Sequence, residues 1–398
     1  MDDALSRART VHQEMIDLRR HFHMNPEIGF DVHQTAARVV EELKKLGLSV
    51  RAGIGKTGVV ADLIVPNATR TIALRADMDA LPMEELSDVP YRSQIPMRAH
   101  MCGHDAHTAM LIGAAKILSE MKDRLPVNVR FIFQPNEEVF PGGAKSMIQD
   151  GALIGVDEIY AVHVMPTLPT SQYGICVGHA LAQPDAFEIT ITGCGGHAAL
   201  PHKAINPVMI AAEIAISIQS IVARLIDPIE TAVITISEIH GGDAFNVIPE
   251  TCMISGTVRT YEKEAQEFIR KKMGEIVEGI AGMYGAKGIL KYIEGFPSTY
   301  NHKEQAIKAK EVGISLVGEE CLDFPAQKMM YGEDFGYFTQ QIKGCYILLG
   351  CRNEKRGITH MLHNPRFDID EECLVYGAAM HIGLVESFRT LEVISAIS

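Results

Sequence analysis

A thiol, three imidazoles and a carboxylate fall within eight residues, His100-Met101-Cys102-Gly103-His104-Asp105-Ala106-His107. Side chains of these types crowded around one glycine read as a metal site. The competing reading is core packing, because cysteine is often a small buried hydrophobe and histidines cluster by chance. Gly103 lets the backbone turn tightly enough for Cys102 and His104 to reach one ion. Both precede a helix expected from about Asp105, whose N-terminal potential favours a thiolate.

A second constellation, Gln134-Pro135-Asn136-Glu137-Glu138, follows the β-like run Val127 to Phe133. Active-site groups of α/β folds collect at the carboxyl ends of strands. Adjacent carboxylates there can face different ways, one toward a cation and the other toward a water; alone, the pair reads equally as a solvated acidic loop. His163 closes the apolar run Ile159 to Val162 and is expected at the same sheet edge, while His363 lies in the loop Met361-Leu362-His363-Asn364-Pro365. Each alone is an ordinary structural histidine. With Cys102, His104 and Glu138 they form a thiolate, imidazole and carboxylate set suited to Zn, Mn, Co or Ni rather than Mg or Ca.

The elements that must position these groups alternate. Helical spacing of Val11, Met15, Leu18 and Phe22, a helix from Gln34 to Leu46, strands at Val59 to Ile64 and Thr71 to Leu74, a helix from Asp105 to Met121 and the strand Val127 to Phe133 read as an α/β layer fold with a mostly parallel central sheet. Near Gln183 the pattern changes. A strand Ala186 to Gly193, helix Pro207 to Ile226, strands Thr231 to Ile239 and Thr251 to Thr260, helix Lys263 to Met283 and strand Gly288 to Ile293 give the β-α-β-β-α-β order of a ferredoxin-like α+β unit. Residues 183–296 are therefore expected as an inserted smaller domain within a discontinuous one of residues 1–182 and 297–398, which resumes with helix Lys303 to Leu316, the run Tyr346 to Leu349 and a closing helix Glu371 to Leu391. At 398 residues, two domains are the natural expectation.

Composition narrows the class. The net charge of −13, with no long basic cluster, argues against a nucleic-acid or anionic-membrane partner. No apolar run approaches a membrane span. The start Met1-Asp2-Asp3-Ala4 lacks the apolar core of an export signal, so a cytoplasmic location is expected. Eight cysteines without paired spacing are expected to be reduced thiols.

In order and spacing these motifs resemble the aminoacylase/carboxypeptidase family of metallopeptidases, closest to its amidohydrolase branch of hippurate hydrolases and plant auxin-conjugate amidohydrolases. The matching pieces are Leu74 to Pro82, Cys102 to His107, Gln134 to Glu138, Gly196 to His202, Asn246 to Glu250, Glu333-Asp334-Phe335 and Leu362-His363-Asn364. The resemblance implies two divalent ions held by Cys102, His104, Glu138, His163 and His363, with Cys102 as bridge and Glu137 as general base. It implies that His197 donates to the oxyanion from a partner subunit of a homodimer, and that Asn246 and Arg259 orient a small N-acyl amino acid substrate. It also implies that the smaller domain acts as a lid and dimerisation module. His197 read without the resemblance is a polar loop histidine, and Arg259 is a surface ion-pair residue.

One departure stands out. The wider family carries His-x-Asp where this chain has Arg75-Ala76-Asp77. Arginine cannot be a ligand, so Cys102 is expected to take the missing coordination and Asp77 to support the site from behind. The expected activity is metal-dependent amidohydrolysis of N-acyl or N-aroyl amino acids to a carboxylic acid and a free amino acid. Rival readings are a dipeptidase or carboxypeptidase using the same site, a non-catalytic binder of acylated amino acids, and a structural metal site.

Overall fold

A computed structural model describes residues 2–388. They divide into two compact units, one comprising residues up to 180, 299–328 and from 334 onward, the other 181–298 with 329–333.

The first unit is built on an eight-stranded sheet in the order Ser49–Ile54, Gly58–Leu63, Asn128–Gln134, Thr71–Asp77, Glu158–Pro169, Lys343–Arg352, Tyr173–Gly174, Leu322–Asp323. The four central strands are mutually parallel and the outer pairings include antiparallel ones. Their apolar residues are buried in unbroken runs, such as Phe131, Ile132 and Phe133, as expected of strands covered on both faces. The helix His104–Glu120 is buried on almost every side. It packs against the helices His12–Met24 and Cys373–Glu386, so a rigid layer stands behind the Cys102-Gly103-His104 turn.

The long N-terminal spacing resolves into two helices, Asp2–Thr10 and His12–Met24, broken at Val11. His163 does not end its strand, contrary to the sequence reading. The strand runs on to Pro169 because Val164 and Met165 continue the pairing with Leu349 and Gly350. The closing helix covers Cys373–Glu386, and residues 389–391 of the expected helix lie outside the described residues.

In the second unit an antiparallel sheet runs Ala232–His240, Thr251–Thr260, Gln183–Thr192, Lys287–Ile293, with the helices Pro207–Arg224 and Lys263–Met283. This is the ferredoxin-like arrangement of a β-α-β-β-α-β chain. The segment Met329–Glu333 belongs to this unit as well, the Ala182 N–H donating to the Met329 and Tyr331 carbonyls at 3.1 and 2.9 Å. The helix Pro207–Arg224 corrects one expectation. By length and composition it is apolar enough to cross a membrane. Its Ile210, Ile214, Ile218 and Ile221 lie in the unit's core, whereas Met209 and Ile216 of the same helix are exposed.

Candidate metal centre

Parallel strands bring their carboxyl ends to one edge, and there Asp77 is level with Gln134 and His163 with Leu348. Two residues beyond Asp77, the buried Asp79 organises three groups at once. Its carboxylate accepts from the backbone N–H of Glu137 at 2.9 Å and of Glu138 at 3.1 Å, and its carbonyl accepts from His104 Nδ1 at 2.8 Å. The glutamate pair is thereby locked in place. With Nδ1 engaged, His104 presents Nε2 to the interior.

Five candidate ligands meet there. Cys102, His104 and Glu138 each offer an atom within 4.8 Å of the others. Cys102 Sγ lies 3.6 Å from His163 Nε2, and Glu138 Oε2 lies 3.4 Å from His363 Nε2. His163 donates from Nδ1 to the Val164 carbonyl at 2.7 Å, which turns its Nε2 toward the thiol. His363 has a left-handed backbone (φ 63°), and its N–H donates to the Met101 carbonyl at 2.7 Å, tying the loop beside Cys102. A non-glycine residue held at positive φ is the kind of strain found at functional sites.

The residues fit a divalent ion. Buried polar atoms in folded proteins are almost always paired, yet among the described residues His104 Nε2 and Glu138 Oε1 have no hydrogen-bond partner, and they face each other at 3.8 Å. The field is strongly negative. Burial opposes charge on His104, but Asp77, Asp79 and Glu138 outweigh it and lift the imidazole pKa to about 10. Burial, with Glu138, Glu137 and Asp77 beside it, pushes the Cys102 thiol well above its ordinary range. A cation taking these atoms would displace both protons. Sulfur, nitrogen and oxygen donors together suit a borderline transition ion.

Glu137 is buried at the rim of this set, its Oε2 3.9 Å from His104 Nε2. Asp77 and His107 are also within reach of the cluster, but their atoms are engaged. Asp77 accepts from Arg75 and from His107, and His107 accepts in turn from the Val164 N–H. Burial would raise the Asp77 pKa, but His104, Arg75 and His107 hold it well below the usual carboxylate range.

The Arg75 departure now has a physical account. Its guanidinium, buried to 1 % exposure, donates to Asp77 Oδ2 at 2.7 Å, Gln134 Oε1 at 2.9 Å and Asp334 Oδ1 at 3.2 Å. Instead of binding a metal, residue 75 is an internal cation that neutralises the carboxylates behind it.

Asp105 and His100 lie on the other side of the turn. Asp105 accepts from Arg19 at 2.8 Å and pairs with His23 at 2.7 Å, which fastens the start of its helix to the His12–Met24 helix. His100 is buried, and among the described residues both its ring nitrogens lack a partner.

Gly103 carries the turn at φ 88°, and a Cβ there would sit 2.3 Å from Val164 Cγ2. Gly103→Ala is expected to destabilise the fold by about 2–4 kcal/mol, the sum of left-handed strain and overpacking. Urea unfolding measures that loss, and metal analysis should show reduced metal content.

In the second unit His197 and Asn246 are neighbours: the short strand pair Gly196–His197 and Val247–Ile248 aligns His197 with Val247, and Ala198 N–H donates to the Asn246 carbonyl at 3.1 Å. Both side chains are exposed. Arg259, on the Thr251–Thr260 strand, is half-buried, and burial lowers its pKa against the opposing pull of Asp185. Its side chain makes no hydrogen bond or ion pair among the described residues.

Sequence reasoning gave no role to Asp79, Gln134 or Asp334. A signal existed for Asp79, since Asp77-Met78-Asp79 places two carboxylates with period two just past a strand end. Gln134 and Asp334 needed the register and a contact 200 residues apart in the chain.

A mixed α/β unit with a buried thiol, imidazole and carboxylate cluster at its strand ends, and a second carboxylate beside it, defines a metal-dependent hydrolase of amides. The "Peptidase family M20/M25/M40" model matches residues 73–387, and the chain belongs to that family. It is 39% identical over 385 residues to Thermostable carboxypeptidase 2 of Saccharolobus solfataricus, covering 96% of each chain. It is 36% identical over 378 residues to IAA-amino acid hydrolase ILR1-like 4 of Arabidopsis thaliana, covering 94% of this chain and 85% of that one. Among solved structures it resembles the Bacillus subtilis YXEP protein, described as a dinuclear metal binding peptidase, with a TM-score of 0.82 and 32% identity over 96% of this chain and 99% of that one.

Proposed function

We propose that this protein hydrolyses the amide of N-acyl or N-aroyl amino acids to a carboxylic acid and a free amino acid, using two divalent ions held by Cys102, His104, Glu138, His163 and His363. The observation that carries this is the pair of orphaned buried atoms, His104 Nε2 and Glu138 Oε1, with the carboxylate of Glu137 beside them. Ions bound there would supply Lewis acidity, acidifying a water and polarising the amide carbonyl. The identity expected is Mn, Zn, Co or Ni, and Cys102 would be among the residues that hold these ions.

Glu137 takes the proton of the attacking water and hands it to the leaving amine. Asp79 holds its backbone, so little reorganisation accompanies that transfer. Arg259 is assigned to the amino-acid carboxylate, because a half-buried guanidinium without a partner offers a ready fork to an anion. Asn246 and His197 are assigned to orient the substrate and to donate to the oxyanion. A homodimer through the second unit is supported by apolar side chains left exposed on the Pro207–Arg224 helix and the Ala232–His240 edge strand, among them Met209, Ile216, Val233 and Ile239. Eight free cysteines, one of them the exposed Cys194, support a cytoplasmic location.

Relatives named IAA-amino acid hydrolase favour the acyl amino acid reading, and those named carboxypeptidase keep a peptidase reading beside it. A panel of hippurate, N-acetyl amino acids and dipeptides separates them: turnover of acyl amino acids should exceed that of dipeptides at least about tenfold, and the reverse order selects the peptidase. Arg259→Ala should raise KM about 10–100-fold with kcat little changed, as loss of a charge-assisted bond does. An unchanged KM would remove Arg259 from the substrate site.

A further inference from the structure

We infer that His107, which is not among the candidate ligands, is the positioning residue for His163, and that Asp77 and Arg75 hold it in the single tautomer this task requires. The inference rests on the two-ion reading above. His107 Nε2 accepts from the backbone N–H of Val164 at 2.9 Å, and a nitrogen that accepts carries no proton. The ring proton is therefore on Nδ1, where it is donated to Asp77 Oδ1 at 2.6 Å. The other oxygen of Asp77 accepts from Arg75 at 2.7 Å.

The far end of this relay reaches a candidate ligand. His107 fixes the N–H of Val164, and His163 Nδ1 donates to the carbonyl of the same residue at 2.7 Å. The two rings also lie against each other, with centroids 4.3 Å apart at 55°. His163 Nε2 is thus aimed at Cys102 Sγ from a ring gripped on its face and at its far nitrogen. Two other buried histidines of this unit behave differently, while His23 engages both ring nitrogens, with Asp105 and Glu85. His100 leaves both ring nitrogens without a partner and His381 leaves Nδ1 so, as core fillers do, whereas every polar atom of the His107 ring is used.

Two substitutions break the relay by different routes. His107→Phe keeps the ring and removes both hydrogen bonds. Asp77→Asn keeps the shape but has one acceptor oxygen between two donors, Arg75 and His107, so an N–H must face another N–H. If His107 turned its proton to Nε2 to compensate, that proton would oppose the Val164 N–H.

The test strips the wild type and both variants of metal and titrates each with Mn²⁺ by calorimetry and with Co²⁺ by visible absorption, with circular dichroism to confirm folding. Wild type is expected to take up two equivalents. In both variants one equivalent should weaken about 10–100-fold and the Co²⁺ spectrum should change, while the other equivalent is retained. Should His107→Phe fail to fold, Asp77→Asn gives the same reading by itself. Folded variants that bind two equivalents with wild-type affinity and spectrum overturn the inference alone. A wild type that binds no ion overturns the two-ion reading, and the inference with it.

Discussion

Glu137→Gln should lower kcat by about 10²–10⁴-fold, the usual worth of a positioned general base, while metal content and KM stay near those of the wild type. The asymmetry follows from the geometry. Glu138 owns the orphaned oxygen facing His104 Nε2 and the 3.4 Å approach to His363, whereas Glu137 stands 3.9 Å from His104 at the rim. The amide of glutamine keeps the shape and the backbone bond to Asp79 but cannot accept a proton. Glu138→Gln is the contrasting control and should lose metal as well as activity. Steady-state kinetics with metal analysis on the two variants distinguishes base from ligand; loss of metal from Glu137→Gln would exchange their roles.

Arg75→Leu should cost about 3–5 kcal/mol of folding stability, the penalty for removing one partner from a buried ion pair. Arg75 is the cation shared by Asp77 and Asp334, both almost wholly buried. Without it two carboxylates remain in a dry interior. The pH dependence has a definite sign. Although burial opposes it, His104, Arg75 and His107 keep the Asp77 pKa well below its ordinary value in the folded protein. Such a group stabilises the fold above its unfolded pKa, and the contribution is lost as pH falls through the folded value. The deficit of Arg75→Leu should therefore be greatest near neutrality and shrink below about pH 4, where an unfolded aspartate takes up its proton. Denaturant unfolding of metal-free protein at about pH 7 and about pH 2.5, below the unfolded aspartate pKa, checks this; an equal deficit at both would mean Arg75 contributes packing alone.

How much could be read from the chain depended on how local each interaction is. Cys102-Gly103-His104 and Glu137-Glu138 are short-range patterns, and the structure places their side chains together. The α/β alternation was equally legible because periodicity is a local property, although His163 sits within its strand rather than at the end. His363 was harder, since its approach to Glu138 needs a left-handed backbone at a non-glycine residue, which spacing does not announce. Arg75 shows the other limit. Its identity excluded a ligand, but its actual work depends on Asp334, 259 residues away, and on Gln134 across a strand register. The attachment of Met329–Glu333 to the second unit is likewise a matter of long-range backbone pairing.

The most direct test of the central claim is hydrolysis of N-acyl amino acids by protein stripped of metal and then titrated with Mn²⁺, Zn²⁺, Co²⁺ or Ni²⁺ while bound metal is counted. Stripped protein should be inactive, and turnover should return with at least one of these ions as the second equivalent per chain is bound. Turnover that survives stripping unchanged, or a fully loaded protein inactive on every amide offered, would contradict it.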